Sequence, residues 1–200
     1  MTEEKELLTI LSKAEYKQVL IRLRKRFGEP RIQKRLSLQS DDYGQTDIDT
    51  RIRITNGKAE LMQKVGDWKN ITKGKSRTEV SIPLPSDVDV IAGLYKIIRN
   101  LMRGSKIENI VMQFESYIWG SEGLEVKLTH QFGKSDAYNC EFEVFDSLRK
   151  PEDLMKKFNV PINLPTQSED FWRKWNEKVN LNADKLSDEE LLEVIKKYLD

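Results

Sequence analysis

Apolar and polar residues alternate with a period of two over most of the first 145 positions, and stretches of helical spacing interrupt them. The alternation predicts strands at about residues 3–11, 31–39, 47–55, 58–65, 75–84, 107–119, 123–132 and 137–145. Asn56-Gly57 is a two-residue hairpin signal of the type I′ kind, and residues 120–123 promise a similar turn. Ser12-Lys13-Ala14-Glu15 reads as a capping box, after which Tyr16, Val19, Leu20, Leu23 and Phe27 keep helical spacing until Gly28 and Pro30 stop them. A second helix opens at Ser86-Asp87 and ends before Gly104, and a third covers about 147–158 with Pro151 in its first turn.

The tail differs. Residues 161–167 are irregular, and 169–180 and 186–199 read as helices, the second opened by the capping box Ser187-Asp188-Glu189-Glu190. Their apolar stripes need a partner, and packing on the barrel is favoured over a dimer contact. The expected fold is α+β: an eight-stranded, mostly antiparallel β-barrel closed into a tunnel with a polar interior and packed by helices. It would occupy residues 1–160, with 161–200 as a C-terminal helical extension.

Parity within the strands sorts the charges. Glu4 and Glu6, Arg51 and Arg53, Met62 and Lys64, Arg77 and Glu79, Glu125 and Lys127, and Glu141 and Glu143 are i, i+2 pairs, so each pair shares one face. Ile52, Ile54, Leu61, Val80, Ile82, Val126, Leu128, Phe142 and Val144 take the opposite parity. One reading is a sheet with an apolar face and a wet face carrying solubilising charge. The other is a polar interior in which cations hold a polyphosphate and carboxylates hold a hard, oxygen-loving metal such as Mg²⁺ or Mn²⁺.

Composition narrows the function classes. Lys plus Arg (34) almost equals Asp plus Glu (33), which argues against a dedicated nucleic-acid binder. One cysteine, Cys140, excludes an internal disulfide framework and suits a reducing compartment. No run of apolar residues reaches membrane-spanning length and the start lacks a signal-type segment, so a soluble cytoplasmic protein, monomeric or homodimeric, is expected. The basic run at 22–26 reads as a solvated helix face, and the lone His130 as a surface or packed residue. Phe171, Trp172 and Trp175 cluster in the tail, where core or inter-helix packing is the expected use.

In order and spacing, Glu4-Lys5-Glu6, Arg51-Ile52-Arg53, Lys64, Arg77-Thr78-Glu79 and Glu141-Phe142-Glu143 resemble the strand motifs of the CYTH, or triphosphate tunnel metalloenzyme, superfamily. The resemblance covers about residues 3–158 and implies a tunnel that processes a triphosphate-containing small molecule with Mg²⁺ or Mn²⁺. It implies that Glu4, Glu6, Glu141 and Glu143, helped by Glu79, hold the metal. Arg51, Arg53, Lys64 and Arg77 would hold phosphate oxygens, and Glu4, Glu6, Arg53 and Lys64 would be catalytic. Hydrolysis of inorganic triphosphate or of a nucleoside triphosphate is the implied activity. An adenylyl cyclase, a thiamine triphosphatase or a binding module without turnover are the alternatives. Three positions depart from the motifs: Leu8 stands for the opening lysine, Ser81 for a second glutamate, and the sixth strand has Gln113 and no arginine. Lys34 or Arg35, or Lys127 as a phosphate contact, would restore positive charge.

Overall fold

The computed structural model describes residues 5–41, 48–66, 78–102, 107–145, 149–166 and 168–200. The alternating segments become β1 (Lys5–Leu11), β2 (Arg31–Asp41), β3 (Ile48–Thr55), β4 (Lys58–Val65), β5 (Thr78–Leu84), β6 (Glu108–Ser121), β7 (Leu124–Phe132) and β8 (Ala137–Val144). The helical segments become α1 (Lys13–Phe27), α2 (Val88–Leu101), α3 (Pro151–Lys157), α4 (Glu169–Val179) and α5 (Asp188–Leu199). Both capping boxes form, Ser12 with Glu15 and Ser187 with Glu190, while Asp87 caps α2 by accepting from Asp89 N and Val90 N. Asn56 and Gly57 have φ of 47° and 79°, both left-handed, as the type I′ hairpin requires. A two-residue strand, β9 (Leu181–Asn182), pairs with Ile110 and Val111 of β6. Two residues are too few to show a period, so this strand leaves no mark in the pattern.

All pairings are antiparallel and run β1-β8-β7-β6-β2-β3-β4-β5. The expected closure is corrected here: among the described residues β1 and β5 do not pair, and the sheet is curled but open. The chemistry of the two edges explains it. On the outer edge of β1, Ile10 N–H donates to Asn163 O (2.9 Å), Asn163 Nδ2 donates to Ile10 O (3.2 Å), and the Thr9 hydroxyl donates to Pro161 O (2.8 Å). The tail therefore occupies the end of the β1 edge at Thr9 and Ile10. On the other edge, β5 carries Pro83, which has no N–H to offer a neighbour.

Helices cover the convex face in two patches. α1 and α3 bury Val19, Leu23 and Met155 against Val126, Leu128, Cys140 and Phe142. α2 and α5 bury Ile91, Tyr95, Leu191 and Ile195 against Leu36, Leu38, Ile52 and Ile54. Burying one parity of each strand under the helices obliges the other parity to face the concave side. Among the described residues no helix is long and apolar enough to cross a membrane.

Candidate functional site

The concave face walls a cavity of about 540 Å³, and seven strands contribute to it: β1, β2, β3, β4, β6, β7 and β8. α4 lies across it with Trp172, Trp175 and Asn176. The predicted residues Glu6, Arg51, Arg53, Lys64, Lys127, Glu141 and Glu143 all line this space, so the charged parity is the interior parity. Glu4 and Arg77 lie outside the described residues.

Strand register assembles the acidic wall. Glu6 of β1 stands opposite Glu143 of β8, and Glu141 is flanked by Leu8 of β1 and Lys127 of β7. Glu6, Glu141 and Glu143 each bring a carboxylate oxygen within 4.8 Å of the others. Lys127 reaches into the same cluster: its Nζ donates to Glu141 (2.9 Å) and to Glu143, and Glu125 lies 3.3 Å away. Burial works to lower the Lys127 ammonium, but the charges of Glu141 and Glu143 outweigh it and hold it above the usual lysine range. Glu143 is pushed up to about 7 by burial and by the neighbouring Glu141, against the pull of Lys127. One ammonium therefore serves three carboxylates. It also arrives beside Glu141 from β7, on the side opposite the lysine missing at Leu8.

A basic wall stands on β2 and β3. Arg35, Arg51 and Arg53 line the cavity, and desolvation together with the other two guanidiniums lowers the Arg35 pKa. Of the two β2 cations considered from sequence, Arg35 faces the cavity and Lys34 does not. Thr55 accepts from Arg35 Nε at 3.2 Å, and Asp49 accepts from Arg51 Nε at 3.0 Å. Arg53 donates to Glu60 (2.9 Å) and Glu79 (3.1 Å), while Lys64 sits 3.0 Å from Glu79. Glu79 is thus brought to Arg53 and Lys64 and not to the carboxylate cluster. Burial opposes ionisation of Glu79, yet Lys64 and Arg53 prevail and keep its pKa low.

The departures from the motifs also find places. Ser81 hydrogen-bonds Glu60. Gln113 points away from the cavity and accepts from the Tyr198 hydroxyl of α5 (3.3 Å), whereas the inward residues of β6 are Ile110, Met112 and Phe114. Trp172 and Trp175 pack on Phe171 and on each other, and in addition both line the cavity; among the described residues neither is in the two hydrophobic clusters. Sequence reasoning missed Ser37, Gln39 and Asn139, whose only signal was inward parity on β2 and β8.

The donor set fits a hard divalent cation. Three carboxylates offer oxygen-only ligation, and octahedral Mg²⁺–O bonds of about 2.1 Å place ligand oxygens roughly 3–4 Å apart, so the cluster needs only a small contraction. Lys127 would have to yield at least one of its two carboxylate bonds.

No protein-family model matches the chain, and its sequence finds no significant match among curated proteins. Solved structures do resemble it. A proposed adenylate cyclase from Bacillus halodurans is 16% identical with a TM-score of 0.54, over 84% of this chain and 96% of that one. A Pyrococcus horikoshii protein is 16% identical with a TM-score of 0.54, over 94% and 98%. A conserved hypothetical protein from Pyrococcus furiosus is 14% identical with a TM-score of 0.55, over 94% and 99%. At such identities the likeness is one of fold.

Proposed function

For a chain whose fold is that of the CYTH, or triphosphate tunnel metalloenzyme, superfamily, we propose a divalent-metal-dependent enzyme that hydrolyses inorganic triphosphate or a nucleoside triphosphate within its cavity. The observation that supports this reading is one cavity with two walls: Glu6, Glu141 and Glu143 on β1 and β8, and Arg35, Arg51 and Arg53 on β2 and β3. Guanidiniums present paired N–H donors to phosphate oxygens, and in a site screened from water they offset charge developing on a leaving phosphate. The carboxylates would hold Mg²⁺ or Mn²⁺, which when bound supplies an activated water and charge neutralisation at phosphate oxygens. Arg53 is held by Glu60 and Glu79, so its donors are oriented before a substrate arrives. From the sequence motifs, Glu4 is proposed as a further metal ligand and Arg77 as a further phosphate contact. A single buried cysteine suits the reducing cytoplasm, where we place the protein.

The test is turnover of tripolyphosphate, ATP and GTP with Mg²⁺ or Mn²⁺, read as phosphate, pyrophosphate and cyclic nucleotide. Phosphate release is the expected product. Glu141→Ala and Arg53→Ala should each lower the rate by about a hundredfold or more, the scale of one electrostatic catalytic contact. Metal-independent binding without turnover of any of the three would refute the enzyme and favour a triphosphate-binding module. Pyrophosphate with a cyclic nucleotide would instead make it a cyclase.

A further inference from the structure

The cavity has a second half that phosphate chemistry leaves unused. Along β1 the inward residues run Glu6, Leu8, Ile10; along β8 they run Glu143, Glu141, Asn139; along β7 they run Lys127, Thr129, Gln131. Register sets these three series side by side, Glu6 with Glu143, Ile10 with Asn139, and Thr129 with Asn139. All three therefore pass from ionised to neutral in the same direction, over about 13 Å of strand. Trp172 and Trp175 of α4 line the same cavity, and Trp175 bonds to Gln131 at the neutral end of β7.

This end is built with care for an aromatic wall. The two indoles stand 6.3 Å apart at 72°, one plane facing the edge of the other. Trp175 Nε1 donates to Gln131 Oε1 (3.2 Å), Gln131 Nε2 donates to Asn180 Oδ1 (2.6 Å), and Asn180 Nδ2 donates to Asn176 Oδ1 (2.7 Å). That relay fixes the ring from behind. Gly133 allows the approach, because a Cβ there would lie 2.6 Å from Val179 O at the end of α4. Both indoles line the cavity and remain partly exposed, so ring surface is open to a ligand.

A second observation points to an absent group. Ser37 lies on the inner face of β2 between Arg35 and Gln39 and opposite Arg53 of β3. It is 1% exposed, and its hydroxyl has no hydrogen-bond partner among the described residues. Buried hydroxyls are almost always satisfied, so this one is aimed at something that enters the cavity. The volume, about 540 Å³, is also that of sites which enclose organic ligands of drug size.

We infer that the Trp172–Trp175 end is a subsite for a flat heteroaromatic group joined to the phosphate chain, and hence that the ligand is a nucleoside triphosphate in preference to inorganic triphosphate. The inference rests on the triphosphate reading above. Triphosphate lies between the carboxylates and the arginines, and the base stacks on an indole. Ser37 and the Asn139 and Gln39 amides meet polar atoms of the nucleoside. Stacking of a base on an aromatic side chain corresponds to roughly a 5- to 150-fold gain in affinity.

The experiment titrates the full chain, with Mg²⁺, against ATP, GTP, UTP and tripolyphosphate by calorimetry and tryptophan fluorescence. At least one nucleotide is expected to bind tenfold or more tightly than tripolyphosphate and to quench the fluorescence. Trp172→Ala should weaken that nucleotide about tenfold while tripolyphosphate affinity stays within twofold, which also shows that the variant is folded. Trp175→Phe, which keeps a ring but loses the bond to Gln131, should weaken the nucleotide less. Equal affinities for tripolyphosphate and every nucleotide, unchanged by Trp172→Ala, would overturn the subsite and leave the triphosphate reading standing. Failure of all four to bind the folded wild-type chain would overturn both.

Discussion

Replacing Lys127 by methionine removes the ammonium around which three carboxylates gather while keeping a stem of similar length. Glu141 and Glu143 are hydrogen-bonded to it and Glu125 is 3.3 Å away; the lysine side chain is 24% exposed and those of Glu141 and Glu143 are 18% and 13% exposed. Taking one partner from a buried ion pair costs about 3–5 kcal/mol. Partial exposure lets water return, and Glu143, already pushed up to about 7, can take a proton and relieve part of the repulsion. We therefore expect a loss of about 2–3 kcal/mol for Lys127→Met at neutral pH in EDTA. For a chain of this length that corresponds to a fall in Tm of roughly 4–12 °C. The same carboxylates, released from lysine, should hold Mg²⁺ better, so 10 mM Mg²⁺ should raise the Tm of the variant by more than it raises that of the parent. Thermal unfolding followed by circular dichroism measures both. A Tm within 1 °C of the parent and an identical response to Mg²⁺ would show that the carboxylate cluster does not depend on Lys127 for its charge balance.

Other positions test other parts of the structure. Phe142 is fully buried and its ring lies 6.0 Å from that of Phe158, so Phe142→Ala should cost about 3–5 kcal/mol, read by urea denaturation. Ser37→Ala deletes an unsatisfied hydroxyl and should leave the stability of the ligand-free protein unchanged or slightly higher, while calorimetry shows weaker nucleotide binding. Glu15 accepts from Ser12 N–H at 2.7 Å, and the backbone and hydroxyl bonds of Ser12 lower its pKa below the usual 4.5. A depressed carboxylate stabilises above its unfolded pKa and loses that contribution as pH falls through the folded one, so Glu15→Gln should flatten the acid limb of stability below about pH 4.5. An unchanged acid limb would mean that the capping box does not persist in solution.

Local physics wrote much of this protein into its order of residues. A period of two assigns Glu141 and Glu143 to one face and Phe142 and Val144 to the other without reference to any neighbour, because successive side chains of a strand must diverge. Both capping boxes and the Asn56-Gly57 turn are equally self-contained, each closing over two to four residues. Tertiary structure decided which charges meet. Glu79 has the same parity logic as Glu141, yet register on β4 sets it opposite Lys64 and away from the carboxylate cluster. Lys127 carries the same charge as Arg53, yet register beside Glu141 makes it a counter-ion of the acidic wall. The edge of β1 looked ready for a closing strand, yet residues 161–163, some 150 positions away, bond to Thr9 and Ile10 at its end. Trp172 and Trp175 look like packing residues on an isolated amphipathic helix. They become a cavity wall because Gly133 and the Gln131–Asn180 relay bring α4 across the sheet. Parity is a property of one strand, whereas proximity is a property of the whole chain, and the candidate chemistry depends on proximity.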